Sequence, residues 1–176
     1  MPAVPAKPKK PSANPEIAEL RNCCGIAEPN LFWHHCYHDS LMSAKITSIA
    51  EALKMAKNIA VVGLSSSPLR PSHGVAAYMQ SQGYRILPVN PEIGEALGEK
   101  YYASLDAIPE EIDIVDIFRR SEFVPQVVDE AIKLRVPVIW MQEGVIHEGA
   151  AERARQAGIF VVMDRCILKA HHALRK

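Results

Sequence analysis

Residues 58–74 contain the residue types from which α/β proteins build a phosphate-binding corner. The β-branched apolar run at 59–62 predicts a strand, and a helix led by Ser72 is predicted after the intervening loop. Backbone N–H groups and the positive end of a helix dipole converge at such a junction, where they bind phosphate oxygens. The candidate anion-binding residues here are Gly63, Ser65, Ser66, Pro68, Arg70 and Ser72. An ordinary strand-to-helix turn is the alternative interpretation of this segment.

Further polar and cationic residues follow the later predicted strands. In a parallel sheet these positions meet at the carboxyl ends of the strands, where such sheets bind their ligands. Arg119 and Arg120 would suit a polyanionic ligand, because guanidinium groups form paired hydrogen bonds with phosphate oxygens. The alternative is that these two arginines form a solvated surface pair. The candidates at this edge are Asn90, Pro91, Phe118, Arg119, Gln142 and Gly144.

Strand and helix patterns alternate from residue 58 onward. The strands are continuous apolar runs, which is typical of strands that are covered on both faces. Predicted strands span 59–63, 85–89, 113–118, 137–141 and 159–163, and predicted helices span 73–82, 121–135 and 147–157. Ser121 is predicted to cap the second of these helices, whereas Gly83 and Gly158 end the first and the last. The alternation predicts an α/β fold, a Rossmann-like doubly wound parallel sheet of about five strands with helices on both faces.

The N-terminal 41 residues differ in composition from the rest of the chain. Residues 1–15 contain five prolines and three lysines, which predicts a disordered arm. We therefore predict a flexible or poorly ordered extension over 1–41 and one domain over 42–176. A helix to about Lys57 opens the domain, because Ser48 and Glu51 have the spacing of a capping box.

Cysteines and histidines crowd the extension, but their spacing does not predict a metal site. Adjacent Cys-Cys and His-His pairs cannot turn all their members to one ion without strain, and they do not match the usual zinc-ligand spacings. The residues concerned are Cys23, Cys24, His34, His35, Cys36 and His38. No disulfide framework is predicted either, since the remaining cysteine, Cys166, lies far away in the chain.

Charge and hydropathy restrict the class of protein. The 176 residues carry 20 Lys and Arg against 20 Asp and Glu, so no overall basic field recruits nucleic acid or an anionic membrane. No apolar stretch approaches the ~20 residues of a membrane span, and none follows the N-terminal lysines as in a secretory signal. These observations predict a cytoplasmic protein with no nucleic-acid or membrane partner, in which any anion site is local.

The sequence disfavours two familiar nucleotide sites. An NAD site is expected to show G-x-G-x-x-G and an acidic residue at the end of the second strand, which holds the ribose hydroxyls. Here Gly63 stands alone, and the second predicted strand is followed by Asn90. The Walker A pattern of nucleotide hydrolases is also absent from the sequence.

Five blocks of sequence, in order, resemble the small coenzyme A-binding domain proteins. These are Rossmann-like relatives of the CoA-binding domain in the succinyl-CoA synthetase α subunit. The blocks are GLSSSPLRPSHGVAAYM at 63–79, GYRILPVNP at 83–91, DIVDIFR at 113–119, IWMQEGV at 139–145 and VMDRCI at 162–167. The likeness covers residues 46–176, and residues 1–41 match nothing in it.

The resemblance implies coenzyme A as the ligand and a place for each of its parts. The diphosphate is expected at residues 63–72 and the adenosine at residues 90–91. Residues 118–119 would line the crevice, and residues 142–144 would face the pantetheine arm.

No catalytic residue is predicted, because the sequence shows no general base with an orienting partner. His171 and His172 are interpreted as a surface pair on a short C-terminal helix, and His147 as a polar residue that opens the helix at 147–157. Cys166 has two interpretations. It is either a thiol that meets the pantetheine thiol or a small buried hydrophobe.

Two classes of function therefore remain open. The first is a coenzyme A-binding or acyl-CoA-binding carrier, sensor or regulatory module without catalysis of its own. The second is an enzyme or enzyme subunit that acts on acyl-CoA or another nucleotide cofactor with a partner chain. A protein partner or a homo-oligomer is compatible with both.

Overall fold

The computed structural model describes residues 46–92 and 94–175. Five parallel strands form its main sheet. These strands are β1 (Asn58–Val62), β2 (Arg85–Val89), β5 (Ile114–Ile117), β6 (Val138–Met141) and β7 (Phe160–Val162). Their spatial order is β2-β1-β5-β6-β7. Their bounds agree with the predicted strands to within about one residue at each end. The predicted extension over 1–41, with its cysteines and histidines, lies outside the described residues.

Helices cover the sheet. They are α1 (Ile49–Met55), α2 (Pro71–Ser81), α3 (Val124–Lys133), α4 (Glu148–Gln156) and α5 (Ile167–Leu174). The predicted capping box of α1 is confirmed. The hydroxyl of Ser48 accepts a hydrogen bond from the Glu51 N–H, and the Glu51 carboxylate accepts one from the Ser48 N–H. Within the described ranges, no helix has the length and apolar character that crossing a bilayer would need.

The predicted Ser121 cap is wrong. A 3₁₀ turn at Ser121–Phe123 precedes α3, and Phe123 occupies the cap position. The Ser121 hydroxyl instead accepts a hydrogen bond from the Ile146 N–H at 3.2 Å, so it joins two loops at the carboxyl edge of the sheet. Pro125, in the first turn of α3, has no N–H and therefore leaves one fewer group for a cap to satisfy.

Two apolar cores lie on opposite faces of the sheet, as the continuous apolar strands predict. One core joins the sheet to α3 and α4, and the other joins it to α1, α2 and α5. Successive residues of a strand point to opposite faces, so Ala60 belongs to the first core and Ile59 to the second. The largest fully buried side chain is Trp140 of β6. Burial of an Ile or Val in these cores contributes about 1.5–3 kcal/mol each.

The strand order reverses between β1 and β5. From β1 the chain passes to β2 on one side and then returns to β5 on the other, so β1 has parallel neighbours on both sides. Val62, at the end of β1, pairs with Val89 and with Ile117, and the three strands therefore end level. A crevice at the carboxyl ends of β1 and β5 is where such a sheet binds its ligand.

The segment between β2 and β5 contains no α-helix among its described residues. It forms a two-stranded hairpin of β3 (Glu95–Ala96) and β4 (Glu99–Lys100), and then a 3₁₀ turn at Leu105–Ala107. Tyr102 fastens it to the end of β2, because its N–H donates to the Pro88 carbonyl at 2.8 Å. The hairpin therefore lies beside the carboxyl end of β2, at one side of the crevice.

Candidate functional site

Gly63 brings the ends of β1 and β5 together. It follows β1 with φ of +88°, a left-handed conformation that favours glycine, and its N–H donates to the Val89 carbonyl at 2.8 Å. A Cβ atom at this position would lie 3.0 Å from the Phe118 carbonyl oxygen and 3.3 Å from Cδ of Arg119. Glycine is therefore needed for both its backbone conformation and its size, and the predicted residues on the two strands lie in contact.

The serines of the loop after β1 bond to its backbone. Ser72 accepts a hydrogen bond from the Ser65 N–H through its hydroxyl, and Ser65 accepts one from the Ser67 N–H, both at 3.2 Å. Ser72 does not lead the helix as predicted, because Arg70 occupies the cap position and Pro71 the first helical position. The Ser72 hydroxyl, inside the first turn of α2, joins the loop to the helix.

Among the described residues, no side chain caps the N-terminus of α2, and the first turn of this helix carries no acidic residue. The unpaired N–H groups and the helix dipole of such an end favour negative charge. Ser66, Pro68 and Arg70 are exposed on the loop in front of it. The predicted candidates of the first segment therefore surround one helix end.

Asn90 connects the ends of β1 and β2. Its side-chain amide donates to the Leu64 carbonyl at 3.1 Å, and its backbone N–H donates to the Tyr102 carbonyl at 3.0 Å. Pro91 follows it on the surface. These bonds place the predicted second-strand candidates beside the Gly63 loop.

The two arginines after β5 differ in their surroundings. Arg119 is half-buried against Gly63, and no ion pair joins it to another residue in the described part of the chain. The Arg120 side chain is 86% exposed and lies 3.8 Å from the carboxylate of Glu122. Arg119 therefore faces the crevice side of the strand end, whereas Arg120 belongs to the surface.

The turn after β6 is held at both ends. Val145 donates to the Gln142 carbonyl at 2.9 Å, and the Gly144 N–H donates to Oδ1 of Asp164 at 2.8 Å. Only 4% of Gln142 is exposed. The predicted residues Gln142 and Gly144 therefore lie in a hydrogen-bonded turn at the end of β6.

Asp116 is a polar residue of this region that the sequence reasoning missed. It lies one residue before the end of β5, is 2% exposed, and accepts a hydrogen bond from Nε2 of Gln142 at 2.8 Å. Burial raises the pKa of its carboxyl to about 7, against the opposing effect of the Gln142 bond. The signal in the sequence was a carboxylate inside an otherwise apolar strand, Ile114–Ile117.

The histidines divide between capping and packing. His147 caps α4 as predicted, because its Nδ1 accepts from the Ala150 N–H at 3.0 Å. The interpretation of His171 as a surface residue is wrong, since its ring lies edge-on to Tyr78 and Tyr84 and its Nδ1 is 3.0 Å from the Tyr78 hydroxyl. Burial, and then the charge of Arg175, lower the pKa of His171. His171 therefore belongs to the packing of α5 against α2.

The hydroxyls of Ser65 and Ser72 are both engaged within the segment that follows β1. The bonds that Ser65 and Ser72 accept come from backbone N–H groups. Cys166 is buried at the start of α5, which agrees with its interpretation as a small buried hydrophobe.

Comparison with known proteins points to one family. Residues 57–172 match the family model described as a CoA binding domain. The uncharacterized protein YneT of Bacillus subtilis is 50% identical over 123 residues, which cover 70% of the chain and 91% of that protein. The solved structure of cell-free ID.343 from Thermus thermophilus has a TM-score of 0.69 at 39% identity, covering 73% of the chain and 99% of that protein.

A part of a larger enzyme is also similar to the chain. The alpha subunit of the ADP-forming acetate–CoA ligase I of Pyrococcus furiosus is 36% identical over 95 residues, or 51% of the chain. The chain spans 21% of the length of that subunit. The likeness is therefore to one segment of the ligase subunit.

Proposed function

The chain belongs to the CoA-binding domain family, and from this premise we propose that it binds coenzyme A at the carboxyl ends of its parallel strands. The observation that carries the proposal is the Gly63 contact, which joins the ends of β1 and β5 in front of an uncapped helix N-terminus. The diphosphate of coenzyme A needs such an end, because it carries concentrated negative charge and accepts N–H bonds.

Each part of the ligand has a place in this proposal. The diphosphate lies against the Gly63–Ser65 loop and the start of α2, with the Arg119 guanidinium beside it. The adenosine borders Asn90 and Pro91, near the hairpin of β3 and β4. The pantetheine arm passes Phe118 and reaches the turn formed by residues 142–144.

We infer that the chain acts as a module without catalysis of its own: a carrier, a sensor or a regulatory partner. This inference is supported by the hydroxyls of Ser65 and Ser72, which accept hydrogen bonds from backbone N–H groups. Free coenzyme A or an acyl-CoA is the ligand in each case. The cytoplasm is the proposed location, because coenzyme A is an intracellular cofactor and the formal net charge of zero gives no attraction to a membrane surface.

A second candidate function is that of an enzyme subunit completed by a partner chain. The likeness to the alpha subunit of the Pyrococcus furiosus ligase favours it, because that segment operates within a larger enzyme named for acetate and CoA. In that case the chain would hold the coenzyme while the partner supplied the reacting groups.

Equilibrium titration of the full chain with coenzyme A tests the proposed function. We expect one site per chain, and competition between acetyl-CoA and coenzyme A. Absence of binding to either ligand would contradict the proposal. Turnover of acetyl-CoA by the isolated chain would contradict the non-catalytic role, and turnover that appears on addition of a copurifying partner would favour the second candidate.

A further inference from the structure

Asp116 and Gln142 form a buried polar pair between the ends of two neighbouring strands. In the described residues, the buried polar or charged side chains are these two and Ser72. Nε2 of Gln142 donates to Oδ1 of Asp116 at 2.8 Å, across the β5–β6 boundary. A buried pair of this kind fixes the rotamers of both side chains, because either polar group would lose its partner if it turned away.

The pair determines which end of the Gln142 amide faces outward. An ionised carboxylate only accepts hydrogen bonds, so the amide must present its NH₂ group to Asp116. A protonated carboxyl can accept the same bond at Oδ1 while its proton is on Oδ2. The Gln142 carbonyl oxygen, Oε1, is therefore the end of the amide that remains for another donor.

Two oxygens of this pair accept no hydrogen bond from another described residue. They are Oε1 of Gln142 and Oδ2 of Asp116. Only 4% of Gln142 is exposed. Gln142 directly follows β6, so its amide lies at the carboxyl edge of the sheet.

We propose that Asp116 is a positioning residue of the coenzyme A site, which holds the Gln142 amide so that Oε1 accepts a hydrogen bond from an amide N–H of the pantetheine arm. The proposal rests on the proposed function and names the group that recognises one part of the ligand. The bonds of Val145 and Gly144 keep the turn in place, so Gln142 presents this acceptor at a fixed position. A ligand that lacks the pantetheine amides does not use the acceptor.

The experiment compares two ligands on a set of variants of the full chain. Coenzyme A contains the pantetheine arm, whereas adenosine 3′,5′-bisphosphate contains only the nucleotide end. The variants are Gln142→Met, Asp116→Leu, Asp116→Asn and the double variant Asp116→Leu/Gln142→Met. Leucine and methionine fill the space with apolar atoms, so no buried polar group is added to the core. Gln126→Met, on the exposed side of α3, is the matched control.

We expect Gln142→Met and Asp116→Leu each to weaken coenzyme A binding by about 5–150-fold, the range of one lost hydrogen bond with an unpaired partner. The dissociation constant of adenosine 3′,5′-bisphosphate should stay within about twofold, since that ligand does not reach the turn. Asp116→Asn should restore most of the affinity, because its carbonyl oxygen still accepts from Nε2. The double variant should bind no more weakly than Gln142→Met, because Asp116 acts through Gln142.

Three results would overturn the proposal. Equal losses for both ligands would show that the pair only supports the fold. Fully additive losses in the double variant would show that Asp116 acts independently of Gln142, and unchanged coenzyme A affinity would show that the amide does not contact the arm. If Asp116→Leu does not fold, Gln142→Met and Asp116→Asn decide by the same comparison of ligands. A wild-type chain that binds neither ligand contradicts the proposed function itself.

Discussion

At the scale of single residues, Arg119 is expected to contribute to ligand binding and Arg120 is not. Arg119 packs against Gly63, and Arg120 is exposed beside Glu122. We predict that Arg119→Ala weakens coenzyme A binding by about 1.5–3 kcal/mol, the range for charge-assisted hydrogen bonds. Arg119→Lys should recover only part of the loss, because an ammonium group lacks the planar fork of donors. Titration calorimetry measures both effects.

Arg120→Ala is the control for this prediction. Its side chain is 86% exposed, so we expect little change in affinity or in the free energy of unfolding. A loss with Arg120→Ala and none with Arg119→Ala would mean that Arg120 reaches the ligand instead. If neither variant loses affinity, the backbone N–H groups and Ser65 hold the diphosphate without a guanidinium.

Asp116 predicts how stability depends on pH. Burial raises its pKa from 3.8 to about 7, so the folded state binds more protons than the unfolded state between these values. The contribution of Asp116 to the free energy of unfolding is therefore fully present below about pH 4, and it is lost as the pH rises through about 7. The loss is at most about 1.4 kcal/mol per pH unit.

The measurement is the free energy of urea unfolding at pH 5 and at pH 8, for wild type and for Asp116→Asn. The asparagine cannot ionise, so the wild type should lose more stability than the variant between the two pH values. All other titrating groups are common to both chains and cancel in the difference. Identical pH dependence would show that Asp116 is ionised in the folded protein throughout this range.

At the scale of secondary-structure elements, the contact between the ends of β1 and β5 predicts contrasting effects of two glycine substitutions. Gly63→Ala introduces a Cβ 3.0 Å from the Phe118 carbonyl oxygen, in a backbone conformation with φ of +88°. We expect a loss of about 2–4 kcal/mol in the free energy of unfolding, because a steric clash adds to the unfavourable dihedral angle. Coenzyme A binding should weaken as well, since the clash moves Arg119.

Gly74→Ala is the matched control in the same region. Gly74 lies within α2, where an added Cβ meets nothing within 4 Å. Alanine should stabilise the helix by about 0.5–1 kcal/mol, because it has less backbone freedom to lose on folding. Urea unfolding of both variants tests the contrast. A Gly63→Ala protein as stable as wild type would contradict the contact.

The five strands of the main sheet could be predicted from sequence because each is a short apolar run bounded by loop residues. The hairpin of β3 and β4 could not, since each of its strands has two residues and shows no periodicity. Its geometry comes instead from its attachment to β2 through Tyr102. Periodicity therefore predicts elements with buried faces, and it misses those that tertiary contacts impose.

The sequence could predict those residues of the candidate site whose location follows from the order of strands in the fold. Gly63, Asn90 and Arg119 follow adjacent strands, so the rule for parallel sheets brings them together. Hydrogen bonds between distant residues were not predictable. Ser121 was expected to cap a helix but accepts from the Ile146 N–H, and the Ser72 hydroxyl accepts from the Ser65 N–H. Their partners depend on the register and loop paths, which the sequence pattern does not contain.

At the scale of the whole molecule, the formal net charge of zero means that ligand attraction must be local. We predict that coenzyme A raises the thermal unfolding midpoint and that NAD does not. A ligand at 100 times its dissociation constant stabilises a folded protein by about 2.7 kcal/mol. Asn90 stands where NAD sites place an acidic residue, so the ribose hydroxyls of NAD lack their usual acceptor. Equal shifts with both ligands would contradict the assignment.

Removal of residues 1–41 tests the predicted division of the chain. The segment contains the proline-rich stretch 1–15 and lies outside the family match at 57–172, so we expect the shortened chain to unfold cooperatively and to bind coenzyme A with unchanged affinity. Calorimetric melting and titration of both chains give the two readouts. Loss of a cooperative transition would show that these residues belong to the folded domain. A zinc content near one per full chain, lost on truncation, would show that the cysteines and histidines of the extension form a metal site, against the prediction from their spacing.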